Sequence, residues 1–419
     1  MKPTARAALA AGGAALAATL LLAGCGQGFE ESPDDASSAD ALTSSSDPLT
    51  ILFGSSGDAE TKAVQDAVAA WSAQSGVQVT ATPATNLNQE LSQGFAAGSP
   101  PDLFYLSPDQ IAAYAANGSI EAYGDQLTNK GDFHPSLVRN FTVDGKFYCA
   151  PKDFSTLALV INTDMWAEAG LTDADIPTTW EQLDAAAAKL TKGDRAGLAF
   201  DAQYQRVGAF TAQAGGRLVS ADGTQAVADS PENLAGLEYV KKHLTDGTFA
   251  YSADLGAGWG GEAFGKELAA MAIEGNWITG ALSADFPDVK YRVAQLPAGP
   301  AGQATLQYTN CWGMAADSPN QKAALELVEH LTGTEQQLAF SKAFGPMPSI
   351  QSAADRWRTD NPALVAFLDG AAYAQGLPTD VGATDVINDF NAQLESLKSG
   401  DPKQILTTVQ GNLAPVVGG

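Results

Sequence analysis

The chain has 419 residues, which is long enough for two domains, because a single hydrophobic core stops growing at about 250–300 residues. Its composition of 45% hydrophobic and 17% charged residues is that of a folded globular protein, not of a disordered or fibrous one. The formal net charge is −25, and no dense cluster of lysine and arginine follows residue 6. A nucleic-acid partner is therefore disfavoured, since phosphate neutralisation needs a clustered basic surface.

Residues 1–24 have the pattern of an export signal peptide. Lys2 and Arg6 form a basic start, and residues 8–22 form an apolar run that is too short and too rich in small residues for a membrane span. The run closes with Leu22-Ala23-Gly24-Cys25, which resembles a bacterial lipobox. The resemblance implies cleavage before Cys25, lipid on that cysteine, and anchoring to the outer face of the cell membrane. The alternative is an ordinary secretory signal, which also predicts export.

The segment that follows Cys25 is predicted to be a flexible tether over residues 25–47. It is rich in Ser, Asp, Glu and Ala and has almost no large apolar residues. Only Cys149 and Cys311 remain as further cysteines, and two cysteines outside the cytoplasm allow one intramolecular pair. We therefore predict a disulfide between them, with two buried free thiols as the alternative.

Strand and helix patterns alternate from residue 49 onward. The apolar run Leu49–Phe53 is followed by the turn Gly54-Ser55-Ser56-Gly57-Asp58 and by helical spacing over 63–71. Alternation of this kind predicts a parallel sheet with helices on its faces. The later predicted elements are a strand at 77–79, a helix over 87–97, a strand over 103–106, a helix over 111–116, a helix over 180–190, a second α/β region that includes 199–210 and 231–244, a strand at 271–273, a helix over 323–331 and a mainly helical tail from 362.

The sequence contains no convincing catalytic or metal-binding motif, because the matches lack the flanking elements that such motifs require. Residues 256–261 match the spacing G-x-G-x-x-G, and residues 260–266 match a phosphate loop, but no apolar strand precedes either. The three histidines are isolated from one another and none lies in an H-E-x-x-H motif. No cofactor and no metal are predicted. An acid pair of the glycosidase type stays open as an alternative, because 48 acidic residues could supply one anywhere.

From about residue 49 to the C-terminus the chain resembles the family 1 extracellular solute-binding proteins, the maltose-binding-protein-like receptors of bacterial ABC importers. Each matching segment is weak alone, but together they occur in the family's order over most of the chain. The segments are GSSGD, SPPDLFYLSPDQIAAYAANGSIEAY, DGKFYCAPKDFSTLALVINTDMWAEAGL, PTTWEQLDAAAAKLT, AGGRLVSADGTQAVADSPENLAGLEYVKKH, EAFGKELAAMAIEGNW and NCWGMAADSPNQKAALELVEHLTG.

The resemblance implies an α/β fold of the type II periplasmic-binding-protein class. Two lobes, each with a mainly parallel sheet flanked by helices, would be joined by three crossings. The N-lobe would comprise residues 48–155 and 303–345, and the C-lobe residues 156–302 and 346–419. The crossings would fall near residues 154–160, 297–305 and 344–348, with the disulfide inside the N-lobe beside the first of them.

The resemblance also implies a function. The protein would be a monomeric receptor, not an enzyme, that captures a carbohydrate, with an oligosaccharide favoured, and delivers it to the permease subunits of an ABC transporter. The alternatives are the same receptor class with a non-sugar solute such as a polyamine, phosphodiester or peptide, an exported carbohydrate-active hydrolase, and a structural lipoprotein that binds no small molecule.

Candidate ligand residues are carried over by position, and they combine aromatic rings with carboxylates, amides and hydroxyls. Such a set suits sugars, whose C–H faces pack on rings while their hydroxyls exchange hydrogen bonds. Trp277 as plain core, Asp153 as a turn cap, and Asn310 and Trp312 as hinge packing are the alternatives. The set is Ser55, Ser56, Asp58, Tyr105, Ser107, Asp153, Tyr204, Trp259, Trp277, Asn310, Trp312 and Asp385.

Overall fold

The computed structural model describes residues 41–417. The predicted signal peptide, the lipidation site Cys25 and most of the predicted tether lie outside these residues. Residues from Leu42 onward form one compact unit. Within the described part of the chain, no helix is both long enough and apolar enough to cross a membrane.

The predicted tether is wrong at its C-terminal end, because residues 42–47 pack against the folded body. The Leu42 side chain is buried. The Thr43 backbone N–H donates to Gln321 Oε1 at 3.0 Å, and the Thr43 hydroxyl donates to the Ser318 carbonyl at 2.7 Å. The folded body therefore begins a few residues before the first strand.

Fifteen strands and sixteen α-helices occur within residues 41–417. The strands are β1 (Leu49–Phe53), β2 (Val79–Pro83), β3 (Leu103–Leu106), β4 (Thr142–Val143), β5 (Lys146–Phe147), β6 (Ala150–Pro151), β7 (Ser155–Thr156), β8 (Ala158–Asn162), β9 (Ala196–Phe200), β10 (Phe249–Tyr251), β11 (Ala269–Glu274), β12 (Tyr291–Ala294), β13 (Thr305–Tyr308), β14 (Cys311–Met314) and β15 (Ala374–Gln375). The helices are α1 (Asp58–Ser75), α2 (Leu87–Ala96), α3 (Pro108–Ala116), α4 (Pro135–Asn140), α5 (Thr163–Glu168), α6 (Trp180–Leu190), α7 (Tyr204–Gln213), α8 (Pro231–Asp246), α9 (Gly260–Gly265), α10 (Ile278–Asp285), α11 (Gln321–Leu331), α12 (Thr334–Phe344), α13 (Gln351–Asp360), α14 (Val365–Asp369), α15 (Ala383–Leu394) and α16 (Pro402–Leu413).

Local sequence explains where several of these helices begin and end. The Thr179 hydroxyl accepts from the Gln182 N–H at the start of α6, and the Ser230 hydroxyl accepts from the Asn233 N–H at the start of α8. Gly76 ends α1 in the left-handed conformation at φ 79°, which glycine adopts without strain. The strand predicted at 77–79 instead begins at Val79 and runs to Pro83.

Each lobe is built on one five-stranded sheet. The N-lobe sheet has the order β2-β1-β3-β14-β6, and the C-lobe sheet has the order β10-β9-β11-β8-β12. In the N-lobe only β14 runs against its neighbours, and in the C-lobe only β8 does. Four strands of five therefore share one direction in both sheets, which confirms the predicted mainly parallel, two-lobed α/β fold.

The lobes are joined through a separate three-stranded sheet of order β15-β13-β7. Each of its strands belongs to one passage of the chain between the lobes, so this hinge sheet contains three crossings, the number that the sequence predicts. β7 and β13 are antiparallel, with Gln307 opposite Thr156, and β13 and β15 are parallel. The first crossing lies where the sequence predicts it, and the second lies a few residues later.

The third crossing lies later than the predicted residues 344–348. Met347 pairs with Phe154 in an isolated bridge, and the Ser349 hydroxyl donates to the Pro151 carbonyl at 2.6 Å, so both residues remain beside the N-lobe. α13 likewise contacts α12, which packs on α1. The chain joins the hinge sheet only at β15, and α15 and α16 then pack against α7 and α8 of the C-lobe.

A disulfide joins Cys149 and Cys311, with their Cα atoms 5.6 Å apart, as the cysteine count predicts. It lies inside the N-lobe, because Cys311 is paired with Pro151 across the edge of the N-lobe sheet. Both cysteines are buried. The bridge therefore ties β14 to the edge strand β6 without linking the two lobes.

We expect the double change Cys149→Ala with Cys311→Ala to lower the free energy of unfolding by about 2–4 kcal/mol, because the unfolded chain loses its long closed loop. Urea denaturation of the variant and of the wild type would measure this difference. Ligand affinity should stay the same, since the bridge does not cross the cleft. An unchanged free energy of unfolding together with weakened ligand binding would contradict this assignment.

Candidate ligand-binding cleft

A cleft of about 1360 Å³ lies between the two lobes, with the hinge sheet at its base. Its walls are formed by the loop after β1 and the start of α3 in the N-lobe, by residues around Trp277 in the C-lobe, and by Tyr308 and Asn310 of the second crossing. Pockets for drug-sized ligands span about 300–1,000 Å³. This cleft is therefore large enough for a ligand of several rings.

The N-lobe wall begins with the polar turn between β1 and α1. Gly57 adopts φ 151° and ψ −177°, a conformation that only glycine tolerates, which lets α1 start immediately at Asp58. Ser56 donates to Glu60 Oε2 through both its backbone N–H, at 2.8 Å, and its hydroxyl, at 2.7 Å. The turn is therefore fixed by a carboxylate one helical turn ahead.

Behind this turn lies a cluster of buried charges made of Glu60, Lys152 and Asp153, with Tyr105 beside them. The side chains of Lys152 and Glu60 are only 10% and 5% exposed, and their charged atoms are 3.2 Å apart. Lys152 also forms an ion pair with Asp153. The Tyr105 hydroxyl donates to Glu60 Oε1 at 3.3 Å, and the Lys152 ammonium lies 4.4 Å from the centre of the Tyr105 ring. One cation thus compensates two carboxylates.

Burial and pairing act in opposite directions on the pKa values in this cluster. Burial opposes ionisation of Glu60, but Lys152 and the hydrogen bonds from Ser56 outweigh it, and the Glu60 pKa lies below its usual value. Burial raises the pKa of Asp153, although Lys152 opposes this. Burial disfavours the charged form of Lys152, but Asp153, Tyr105 and Glu60 raise its pKa above the ordinary value. Lys152 therefore stays cationic at neutral pH.

The C-lobe wall presents Trp277, whose side chain is 38% exposed although most large apolar side chains are buried. Its indole N–H donates to Glu274 Oε2 at 3.0 Å, and Arg206 donates to the same oxygen at 2.8 Å. The Tyr308 ring meets the Trp277 ring edge-on at 5.3 Å. A β-carbon at Gly275 would lie 2.1 Å from the indole, so this glycine is required for the ring's position. The ring is therefore held rigidly toward the cleft.

Eight of the predicted ligand residues line the main cleft, and four do not. Trp312 is 1% exposed and packs edge-on against Tyr105 at 4.8 Å, because it lies on the inner strand β14. Trp259 is half-buried and packs across Gly261 outside the cleft. Asp385 is exposed on the first turn of α15, whose neighbouring residues Thr384 and Asn388 line the cleft instead. Those in the cleft are Ser55, Ser56, Asp58, Tyr105, Ser107, Asp153, Trp277 and Asn310.

The fourth residue outside the main cleft, Tyr204, lines a second cavity described below. Sequence reasoning missed Glu60, Lys152 and Tyr308, which line the main cleft. Lys152 stands next to the predicted Asp153, and Tyr308 lies just after the predicted second crossing at 297–305, where the sequence analysis assigned it no role. No group of three or more His, Cys, Asp or Glu side chains within residues 41–417 is arranged to hold a metal ion.

Comparison with known proteins agrees with this architecture. Residues 66–366 match the family model for bacterial extracellular solute-binding proteins. A maltooligosaccharide ABC transporter solute-binding lipoprotein of Streptococcus pneumoniae is 25% identical over 352 residues, covering 81% of this chain and 80% of that protein.

Solved structures show the same fold. The cyclic α-maltosyl-1,6-maltose binding protein of Arthrobacter globiformis superimposes with a TM-score of 0.79 at 23% identity, covering 88% of this chain and 98% of that one. UgpB of Mycobacterium tuberculosis, in complex with glycerophosphocholine, gives a TM-score of 0.73 at 18% identity, covering 87% and 97%. The fold and the interlobe cleft define a two-lobed receptor for small solutes. The chain belongs to the bacterial extracellular solute-binding protein family, as its sequence predicts.

We expect Lys152→Met to lower the free energy of unfolding by about 3–5 kcal/mol at neutral pH, because Glu60 and Asp153 would be left buried without a counter-ion. Without the cation, burial would hold both folded-state pKa values above the unfolded values near 4, so the loss should shrink as the pH falls toward about 4. Chemical denaturation across this pH range would measure it.

The matched control for this prediction is Lys62→Met, which removes an exposed ion pair with Asp66 at 2.7 Å. Its expected effect is below about 0.5 kcal/mol at every pH. Equal effects of the two substitutions at neutral pH would refute the role of Lys152 as the buried counter-ion.

Proposed function

We propose that this protein is the carbohydrate receptor of an ABC importer, tethered to the outer face of the cell membrane by lipid at Cys25. It captures an oligosaccharide between its lobes and delivers it to the permease. The observation that carries this proposal is the exposed ring of Trp277, fixed by Glu274 and Gly275 opposite a polar N-lobe wall.

The chemistry of the two walls suits a sugar. The C–H face of a pyranose packs on an aromatic ring, and Trp277 with Tyr308 offers two rings at right angles. Sugar hydroxyls both donate and accept, so they can pair with the Asp153 carboxylate, the Asn310 amide and the serines of the β1–α1 turn. The cleft volume of about 1360 Å³ favours several sugar units over one.

Closure of the lobes supplies the signal for delivery. A ligand that contacts both walls binds the closed form more tightly than the open form, and so shifts the population toward it. The three short strands of the hinge sheet are where the backbone would bend. The permease would recognise the surface of the closed receptor.

The second candidate ligand class is a non-sugar solute. UgpB, which has the same fold, was solved in complex with the phosphodiester glycerophosphocholine. Lys152 lines the main cleft and is the obvious phosphate partner there. It is, however, already paired with both Glu60 and Asp153, so it offers little net positive charge to a phosphate. Carbohydrate is therefore the better fit to the main cleft.

A thermal-shift screen against neutral mono- and oligosaccharides, with polyamines and glycerophosphodiesters in parallel, tests the ligand class. We expect oligosaccharides to raise the melting temperature, because a ligand that binds only the folded state stabilises it. A shift with an amine or a phosphodiester, beside none with any sugar, would exclude the proposal. Mass spectrometry of the recovered sugar distinguishes a receptor, which returns it unchanged, from a hydrolase.

The saccharide found in this screen should bind Trp277→Ala at least about tenfold more weakly, since a central aromatic anchor is lost. Trp259→Ala is the matched control, because Trp259 lies outside the cleft. It is expected to lower stability while leaving the affinity within about twofold. The reverse pattern would remove Trp277 from the site.

Anchoring by lipid is tested with Cys25→Ala. The wild type should fractionate with membranes and partition into detergent, whereas the variant should lack lipid and lose membrane association, because no other anchor is proposed. Metabolic labelling with a palmitate analogue provides the readout. Equal membrane association of both forms would contradict the lipobox interpretation.

A further inference from the structure

A second cavity of about 650 Å³ adjoins the main cleft. The two share four wall residues, Asn140, Gln307, Leu377 and Pro378, so they meet at the hinge strand β13 and at the segment that follows β15. Tyr204, which the sequence predicts as a ligand platform, lies on the wall of this second cavity. Its ring is stacked on Phe390 at 5.3 Å, which fixes its position. The second cavity therefore lies directly beside the main cleft, with these shared residues between the two spaces.

Two residues on the wall of this cavity, Gln307 and Ser136, carry buried polar atoms without a partner within residues 41–417. Gln307 is 3% exposed and its amide nitrogen donates to the Ser136 carbonyl at 3.0 Å, but its Oε1 accepts no hydrogen bond within the described chain. Ser136 is 6% exposed, and its hydroxyl also lacks a partner among residues 41–417. Burying polar groups unpaired is costly, so these atoms are suited to pair with a hydroxylated ligand.

The ion pairs of the arginines in residues 41–417 indicate which charge a ligand of this cavity would carry. Five of the seven arginines in residues 41–417 form ion pairs with carboxylates. The two that form none within these residues, Arg139 and Arg217, both line the second cavity. This is notable in a chain whose 48 acidic residues outnumber its 23 basic ones.

Three aspartates also line the cavity, but none of them forms an ion pair with these arginines. Asp222 accepts hydrogen bonds from the hydroxyls of Ser220, at 2.5 Å, and Thr224, at 2.9 Å. Asp144 lies at an exposed turn between β4 and β5. Neither these two nor Asp380 comes within the 4 Å ion-pair distance of Arg139 or Arg217. Both guanidinium groups remain available to an anion.

We propose that the second cavity is a subsite for an anionic sugar unit, a uronate or a phosphorylated sugar, whose remaining units occupy the main cleft. This rests on the proposed function and narrows its ligand class. The guanidinium groups bind the anion, since arginine pairs with carboxylate and phosphate through charge-assisted hydrogen bonds. Gln307 Oε1 and the Ser136 hydroxyl bind hydroxyls of the same unit, and Gln307 links the two cavities.

The test compares maltotriose and cellotriose with the same trisaccharides carrying a terminal glucuronate or a terminal phosphate, by calorimetry at low and high salt. For the wild type, we expect an acidic form of at least one of the two trisaccharides to bind about tenfold more tightly than the neutral form at low salt. This gain in affinity should be smaller at high salt. The double variant R139Q/R217Q should lose this gain and keep its affinity for the neutral form. The uronate and phosphate arms identify which anion is preferred.

A matched control is the double variant K398Q/K403Q, which removes the same charge from exposed lysines outside both cavities and should keep the gain. Ser136→Ala should weaken binding of the acidic form about threefold without loss of stability, because its hydroxyl has no protein partner to lose. A neutral trisaccharide that binds as tightly as its acidic forms, or a gain retained by R139Q/R217Q, overturns the subsite alone. No binding of any saccharide, neutral or acidic, overturns the proposed function and the subsite together.

Discussion

The constraint on which the rest of the structure depends is the hydrogen bonding of the three crossings to one another. β7, β13 and β15 form one small sheet, so the lobes share a common base although they have separate main sheets. Among the strands of residues 41–417, β8 and β14, which enter each lobe from this base, are the two that run against the other strands of their five-stranded sheets. The antiparallel strand of each lobe thus results from the direction in which the chain enters that lobe from the hinge sheet. The same base supplies Tyr308 and Gln307 to the ligand spaces on its sides.

The two walls of the main cleft are stiffened in related ways. In the N-lobe, Lys152 compensates Glu60 and Asp153, and in the C-lobe, Arg206 compensates the fully buried Glu274. One buried carboxylate in each wall then positions a group at the surface: Glu60 fixes the turn at Ser56, and Glu274 fixes the indole of Trp277. Because an unpaired buried charge is costly, these pairs hold their partners in single positions before a ligand arrives. Closure can then occur as a movement of preformed surfaces.

Much of the fold could be predicted from sequence, because strand and helix periodicities are local and strong; α6 begins and ends where its pattern indicates. The third crossing could not, since its position depends on the pairing of Met347 with Phe154, two residues far apart in the chain. In the candidate site, the turn rich in glycine and serine after β1 lies on the N-lobe wall of the cleft, as its sequence predicts. Trp312 was wrongly predicted as a ligand residue, because the sequence alone does not distinguish an aromatic residue on a buried inner strand from one in a cleft. The sequence around Arg139 and Arg217 does not identify them as candidate ligand residues. Whether an arginine forms an ion pair depends on residues that are close in space but distant in the chain.

The placement of β14 also bears on the order in which the protein can be assembled. β14 lies between β3 and β6 in the N-lobe sheet, yet it follows the entire chain of the C-lobe sheet in sequence. During synthesis from the N-terminus the N-lobe therefore lacks an inner strand until residue 314 has emerged, and Cys149 waits as a thiol while the next 162 residues are made. The C-lobe sheet is complete by β12, before the N-lobe sheet can close. The N-lobe sheet, whose first strand is made first, is therefore the later of the two main sheets to be completed.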